Sequence, residues 1–289
     1  MKITKAVIPA AGLGTRVLPA TKSIPKEMLP IVDKPAIQYI VEEAAAAGIT
    51  DILIITGRGK SAMEDHFDRA PELEERLLRS GKQALCDEVA GISRIANIQY
   101  VRQKETKGLG HAVLCAKSFA GDDPFAVLYG DDVVIGEKSA TGELCEAFER
   151  YGKGVLGLKK IPLDKIGKYS SVRFETGPDG EKQVGDMIEK PSPDQVMSPY
   201  AIIGRVVLPP SIFEILERTA PGAGGEIQLT DAMRELAVRE GMIGVEYSGT
   251  RFDMGSKAGI IEAILTVGVS HPEIGPEVRE LIRRMAASL

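Results

Sequence analysis

The sequence is poor in the residues that staple a fold or bind a metal tightly. It has three cysteines, Cys86, Cys115 and Cys145, far apart, odd in number and without a C-x-x-C pair. That argues against a disulfide framework and fits a reducing, cytoplasmic setting. The three histidines, His66, His111 and His271, are equally scattered, so a His/Cys zinc site has no support. No apolar run approaches the roughly 18 residues that a membrane-spanning helix needs. The opening MKITKAVIPAAG enters a strand-like run at once, without a long apolar h-region and cleavage site, so no secretory signal is expected. Repeats and low-complexity tracts are missing too. Nor is there a basic excess: the net charge is −5, which argues against nucleic acid as a partner.

What is present is ordinary for a globular protein. The chain has 289 residues, 44% hydrophobic and 27% charged, enough for a sizeable core in one large domain or two small ones. Its charge is uneven. Residues 1–34 carry six lysines and arginines against two acids, a net of +4, which leaves −9 for the rest. A positive patch on an acidic chain suits a small anionic ligand, although a few solvated lysines would give the same count.

The first half alternates between strand and helix signals. Ala6–Pro9 is a short apolar run, and 35–47 reads as a helix with Pro35 at its first turn and Gly48 as its stop. Strands are predicted at 51–56, 98–101 and 125–129, with a helix over 109–118 and a polar, helical excursion over 60–96. Such alternation implies a parallel sheet covered on both faces. The second half is less regular. Strands are predicted at 154–160, 171–174, 184–188 and 201–207, with a hairpin turn at Pro178-Asp179-Gly180. Helices follow over 211–218, 226–240 and 256–269, and from about Pro276 to the end. We read one α/β domain, 1–289, with a nucleotide-side half (1–135), a second half (136–260) and C-terminal helices (261–289).

The strongest local signal is Ala10-Ala11-Gly12-Leu13-Gly14-Thr15-Arg16, directly after the first strand. Gly12 and Gly14 let the backbone approach a ligand and aim N–H groups at it, and Arg16 can fork onto phosphate oxygens. A lone Gly-x-Gly is also a tight turn. It is no dinucleotide fingerprint, because Val17 stands where the third glycine belongs; Gly59-Lys60-Ser61 is no Walker A loop, because Ile54 stands where that motif needs glycine.

Ten residues on comes Pro25-Lys26-Glu27-Met28-Leu29-Pro30. Further on stand RQKETKGLGHAV (102–113), VLYGDD (127–132), EKP (189–191), GAGGEIQLTDA (222–232) and FDMGSKAG (252–259). In this order, across nearly the whole chain, these motifs resemble the sugar-phosphate nucleotidyltransferase family, in its bacterial UTP–glucose-1-phosphate uridylyltransferase branch. The resemblance implies a Rossmann-like nucleotidyltransferase fold, α/β, with a mixed, mostly parallel central sheet and helices on both faces. It implies that glucose 1-phosphate attacks the α-phosphorus of UTP, giving UDP-glucose and pyrophosphate, with Mg2+. Both reactants are anions and the nucleophile is already ionised, so catalysis there is positioning and charge neutralisation.

The resemblance also implies roles. Arg16 and Lys26 hold the triphosphate, with Lys26 near the α-phosphate, and Lys190 pairs with the sugar phosphate. Ala11, Gly12, Gly14 and Thr15 cradle the nucleotide. Glu27, Gln103 and Gly108 are the base readers; an amide both donates and accepts, which matches the uracil edge. Tyr169, Glu189 and Glu226 belong to the sugar. Asp131 and Asp253 are the metal pair, each near a strand end, which suits an ion that takes one or two carboxylates plus phosphate oxygens. Asp132 should face away from Asp131 on a strand. His111 is read as a structural helix residue. Two departures fall at the expected hexose pocket: Tyr169-Ser170-Ser171 where a tyrosine–glycine pair is common, and Pro199-Tyr200 where asparagine–leucine is common. The alternatives are another base or sugar, as in a thymidylyltransferase, a metal-dependent glycosyltransferase, and a non-catalytic nucleotide-sugar sensor. Val278, Leu281, Ile282 and Met285 make an apolar stripe near the chain end, which with the resemblance suggests a homodimer or homotetramer.

Overall fold

The computed structural model describes residues 1–288, and its first strand, β1 (Lys5–Pro9), is the apolar run that opens the chain. A loop of short turns leads through the two-residue strands β2 (Pro30–Ile31) and β3 (Lys34–Pro35) to helix α1 (Ala36–Ala46). Then come β4 (Asp51–Thr56), three helices α2 (Ser61–Phe67), α3 (Pro71–Arg79) and α4 (Gln83–Ile92), and β5 (Asn97–Arg102). The helix expected over 109–118 is split into α5 (Leu109–Leu114) and α6 (Lys117–Ala120). β6 (Phe125–Leu128), β7 (Asp132–Ile135) and α7 (Ala140–Tyr151) follow. The second half holds β8 (Gly154–Lys160), β9 (Ser170–Thr176), β10 (Lys182–Glu189), β11 (Tyr200–Leu208), α8 (Ile212–Leu216) and α9 (Leu229–Glu240). It closes with β12 (Met242–Glu246), β13 (Thr250–Asp253), α10 (Lys257–Ser270) and α11 (Gly275–Ala286). The last helix was expected to reach the end of the chain; Leu289 lies outside the described residues.

Nine strands form one sheet in the order β5-β4-β1-β6-β11-β8-β12-β10-β9. β5, β4, β1 and β6 are mutually parallel, as are β8 and β12. β11 opposes both of its neighbours, and so does β10. Seven strands therefore run one way and two the other, the mixed, mostly parallel sheet expected. Period-two alternation splits its side chains between two cores. Ala6, Ile8, Ile52 and Ile54 pack with Ile37, Ile40, Leu144 and Phe148 of α1 and α7. Val7, Leu53 and Ile55 face the other way, with Val113, Phe213, Met233 and Leu236 of α5, α8 and α9. Helices thus cover both faces.

Besides the short strands β2 and β3, four elements were not anticipated: α7, β12, β7 and β13. α7 is amphipathic, buries Leu144, Cys145 and Phe148, and is capped by Ser139, whose Oγ accepts the Gly142 N–H at 3.0 Å. β12 extends the sheet beside β8. β7 and β13 form a separate antiparallel ribbon that sets Asp132 opposite Asp253. The helix expected from residue 226 starts at Leu229, because Glu226 and Gln228 have extended backbones.

A buried ion pair ties the halves together. Arg205 of β11 sends Nε and Nη2 to the Glu43 carboxylate of α1 at 2.9 and 2.5 Å. Thr141 of α7 adds its backbone N–H and its hydroxyl. Burial disfavours the charged Glu43 carboxylate, but Arg205 and Thr141 outweigh it and hold its pKa below the usual range. No helix among the described residues is long and apolar enough to cross a membrane. α11 packs on α10 through Val278, which lies against Gly268. Ile261 and Leu265 of α10, and Leu281 and Met285 of α11, stay exposed.

Candidate active site

The glycine loop lies where the first strand delivers it. Ala10 N–H donates to Ile55 O of β4 at 2.8 Å, which holds the loop over the carboxyl ends of the parallel strands. Gly14 has φ 66°, and Thr21 donates its hydroxyl to the Gly14 carbonyl at 2.7 Å, so the loop doubles back on itself. Gly12 faces Lys26: a Cβ there would lie 3.6 Å from Nζ. Thr15 lines a neighbouring basic recess with Lys22, Lys26, Arg58 and Lys60.

Behind the loop runs a ladder of alternating charges. Lys60 Nζ lies 2.8 Å from Glu27 Oε2, and Lys26 Nζ 2.5 Å from Asp131 Oδ2. Arg16 reaches Asp131 at 3.6 Å and Asp253 at 3.9 Å. Burial works against the Lys26 ammonium, but Asp131 and Glu27 outweigh it and raise its pKa, so Lys26 stays charged. Burial likewise opposes the Asp131 carboxylate, yet Lys26, Arg16 and Arg251 hold it below the usual range. Glu27 was expected to read the base. It is instead fully buried against Lys60; burial raises its pKa, and its Oε1 has no hydrogen-bond partner among the described residues. That corrects the base-reading expectation for Glu27, since a side chain with no exposed surface cannot touch a ligand.

Two chambers open from this ladder and share Leu109, Tyr129 and Asp131. The first is lined by Ala11, Gly12, Lys26, Gln103, Gly108 and Glu226. Gln103 Nε2 lies 3.2 Å from Gly108 O and 2.8 Å from His111 Nδ1. Gly108 has φ 101°, and a Cβ there would fall 2.7 Å from Glu226 Cβ and 2.8 Å from Ile227 O, so only glycine fits. Glu226, expected beside the sugar, lines this first chamber.

The second chamber is lined by Arg16, Tyr169, Ser170, Glu189, Arg251 and Asp253, among others. Glu189, at the end of β10, accepts the Thr230 hydroxyl at 2.7 Å. Arg251 donates from Nη1 to the Tyr169 oxygen at 3.1 Å and from Nε to Asp132 at 2.6 Å. Burial, with Asp131 adding repulsion against the pull of Arg251, pushes the Asp132 carboxyl up to about 6. Asp132 is thus engaged by Arg251, while Asp131 faces Lys26 and Arg16. Of the two departures, only Ser170 lines this chamber; its Oγ accepts the Ile202 N–H at 3.3 Å. Tyr200 packs its ring on Phe174 and turns its hydroxyl to Glu246, away from the pocket where it was expected. Lys190 stands exposed just past the wall, with φ 46° and its N–H donated to Tyr169 O at 2.8 Å. That left-handed backbone is costly for lysine, and such strain gathers at functional sites.

Lys60, Tyr129, Lys168, Thr230 and Arg251 were missed. Lys60 had a motif, wrongly weighed only as a phosphate loop; Tyr129 and Thr230 lie inside VLYGDD and GAGGEIQLTDA but were given no role, and Lys168 and Arg251 carry no local signal.

Asp131 and Asp253 fit a divalent cation. The Gly255 N–H donates to Asp253 Oδ1 at 2.9 Å. A Cβ on Gly255 would sit 2.8 Å from Asp131 Oδ2, 3.0 Å from Asp253 Oδ1 and 2.5 Å from Arg16 Nη2, so both carboxylates and the guanidinium converge on one spot. Among the described residues no group of three or more His, Cys, Asp or Glu could hold a metal. Two hard oxygen donors, with phosphate oxygens still to come, suit Mg2+ rather than zinc.

Residues 5–268 match the nucleotidyl transferase family model. The chain is 52% identical over 273 residues to the UTP–glucose-1-phosphate uridylyltransferase YngB of Bacillus subtilis, covering 94% of this chain and 92% of that one. It is similar to a UTP-bound UDP-glucose pyrophosphorylase from Acinetobacter baumannii, at 39% identity and TM-score 0.89, over 97% of this chain and 98% of the other. A UDP-glucose pyrophosphorylase complexed with UDP-glucose matches at 42% identity and TM-score 0.83, over 91% and 98% of the two chains.

Proposed function

Because the chain belongs to the nucleotidyl transferase family, we infer from its cleft that it transfers a uridylyl group from UTP to glucose 1-phosphate, releasing pyrophosphate and UDP-glucose. The observation that carries this reading is the pair of chambers joined at Asp131, with Lys26 and Arg16 at the junction. A donor and an acceptor bound one in each would meet there, phosphate against phosphate. The first chamber takes the nucleotide: Ala11, Gly12, Gly14 and Thr15 carry backbone around the phosphates, and Gln103 and Gly108 meet the base. The second takes the hexose, with Glu189 and Tyr169 offering polar groups to its hydroxyls. Lys190 neutralises the sugar phosphate from the rim.

The sugar phosphate needs no general base. Lys26 and Arg16 draw off charge from the α-phosphate and the departing pyrophosphate, and they are pre-oriented by Asp131 and Asp253, so little reorganisation is spent at the moment of reaction. Asp131 and Asp253 would hold Mg2+, which when bound supplies charge to the phosphate oxygens. Glu27 and Lys60 keep Lys26 fixed from behind.

One assay tests the function: pyrophosphate release across four nucleoside triphosphates and several sugar 1-phosphates. UTP with glucose 1-phosphate is expected to give the highest kcat/KM; a preference for another base or sugar would reject this assignment. In the same assay Lys190→Ala should raise the KM for glucose 1-phosphate by about tenfold or more, with UTP binding intact. Equal loss of UTP affinity would remove Lys190 from the sugar side.

The exposed apolar side chains of α10 and α11 are read as covered by a second copy of the chain. Light scattering should then give at least twice the 31.0 kDa of one chain. A monomer at micromolar concentration would refute this without touching the catalytic reading.

A further inference from the structure

We propose that His111 fixes the base choice: by accepting a hydrogen bond from Gln103, it holds that amide with its oxygen toward the base, so that a pyrimidine with an N3–H is taken and one with a bare N3 is refused. The proposal rests on the reading of the first chamber as the site of the base.

The amide's orientation follows from its neighbours. Gln103 is buried beyond the end of β5, its backbone N–H given to Thr56 O at 2.9 Å. One end of its side-chain amide lies 3.2 Å from the Gly108 carbonyl oxygen. A backbone carbonyl only accepts, so that end is the NH2 group. The same nitrogen lies 2.8 Å from His111 Nδ1. Its two hydrogens are therefore committed, one to Gly108 and one to His111. His111 Nδ1 must then be an acceptor, which puts the proton of the neutral ring on Nε2.

Gln103 Oε1 is left. It has no partner among the described residues, yet it is not one of the sealed, unpartnered atoms, which are Glu27 Oε1 and Ser211 Oγ. Gln103 lines the first chamber, so this oxygen opens into it. There it accepts from an N3–H, as uracil presents. Cytosine presents a lone pair at N3 instead, and two acceptors then face each other. The amide cannot turn over to relieve this, because its oxygen would meet both the Gly108 carbonyl and His111 Nδ1. Selectivity thus comes from a built-in repulsion that the second acceptor makes rigid. His111 is itself held on α5: its carbonyl accepts the Cys115 N–H at 3.2 Å, and the residue before it is docked by Gly110 N–H on Ile227 O at 2.8 Å.

The test compares kcat and KM for UTP and CTP in His111→Ala, His111→Asn and Gln103→Leu. In His111→Ala the UTP-to-CTP ratio of kcat/KM should fall by about tenfold, carried by KM rather than kcat, because one of the two bonds that set the amide is gone. His111→Asn should keep the ratio, since its side-chain oxygen can stand near the lost Nδ1. A merely structural role would lower kcat for both nucleotides alike. An unchanged ratio in His111→Ala, or an equal fall in His111→Asn, overturns the proposal. If His111→Ala does not fold, His111→Leu carries the same expectation and the same overturning result. Gln103→Leu separates the two levels: if it leaves the ratio intact, the base-site reading itself fails and the proposal falls with it.

Discussion

Replacing Lys26 with methionine is expected to lower kcat/KM for UTP by about a hundred- to a thousandfold, the usual cost of one donor aimed at developing charge in a water-poor site. Methionine keeps the volume of the side-chain stem, so the fold should survive. The charge ladder adds a second signature. In the native protein the Asp131 carboxylate is held below its usual range, against burial, with Lys26 its foremost support. Without Lys26 the pKa of Asp131 rises, and its ionised form is lost at higher pH than before. The acid limb of the residual activity should therefore move to higher pH, while the native limb stays low. Steady-state pyrophosphate release over a pH series measures both effects. Retention of more than a tenth of native kcat/KM would show that Lys26 does not touch the reacting phosphates.

Asp131→Asn and Asp253→Asn are each expected to cost a further large factor, about a hundredfold or more. The diagnostic result is the double variant. If the two carboxylates serve one ion, removing the second after the first should cost little, so the combined loss stays near that of the worse single variant. Independent roles would multiply instead. Calorimetric titration of Mg2+ in the presence of UTP gives a reading free of turnover, and each single variant should weaken it. Multiplicative losses, or native Mg2+ binding in both single variants, would break the pairing of Asp131 with Asp253. The two residues are 122 apart in sequence and come together only because β7 and β13 pair, so this test also probes the ribbon.

The ribbon shows where sequence reading stops. The strands of the first half were legible because β1, β4 and β6 are buried, mostly aliphatic runs, and the half-buried edge strand β5 (NIQYVR) still alternates apolar with polar residues. β7 and β13 are four residues each, and nothing local says that they pair. The same limit hid Arg251, whose task is to neutralise Asp132 across that pairing, and Arg205, which sits unflagged inside the apolar run of β11. Lys26 and Asp131 were legible because each lies in a dense motif. Glu27 lies in the same motif, but motif membership does not reveal burial: the residue next to a ligand-facing lysine points the other way. Glu226 was placed on a helix by its apolar period, whereas Gly108 needs it extended so that the two backbones can touch.

The position of β11 bears on how the protein comes off the ribosome. β11 lies between β6 and β8, so the edge of β6 has no partner until residues 200–208 have been made. That edge, Phe125–Leu128, is wholly apolar, and Glu43 waits over the same stretch for Arg205, 162 residues later. An open apolar edge strand and an uncompensated buried carboxylate both oppose early closure. The first half by itself therefore leaves an apolar strand edge unpaired and a buried carboxylate uncompensated, so it is not a closed module. Only when β11 inserts, and β13 joins β7 behind it, do the last walls of the cleft close. Each chamber takes part of its lining from beyond residue 225, Glu226 in the first and Thr230, Arg251 and Asp253 in the second, so neither wall is complete until most of the chain has been made.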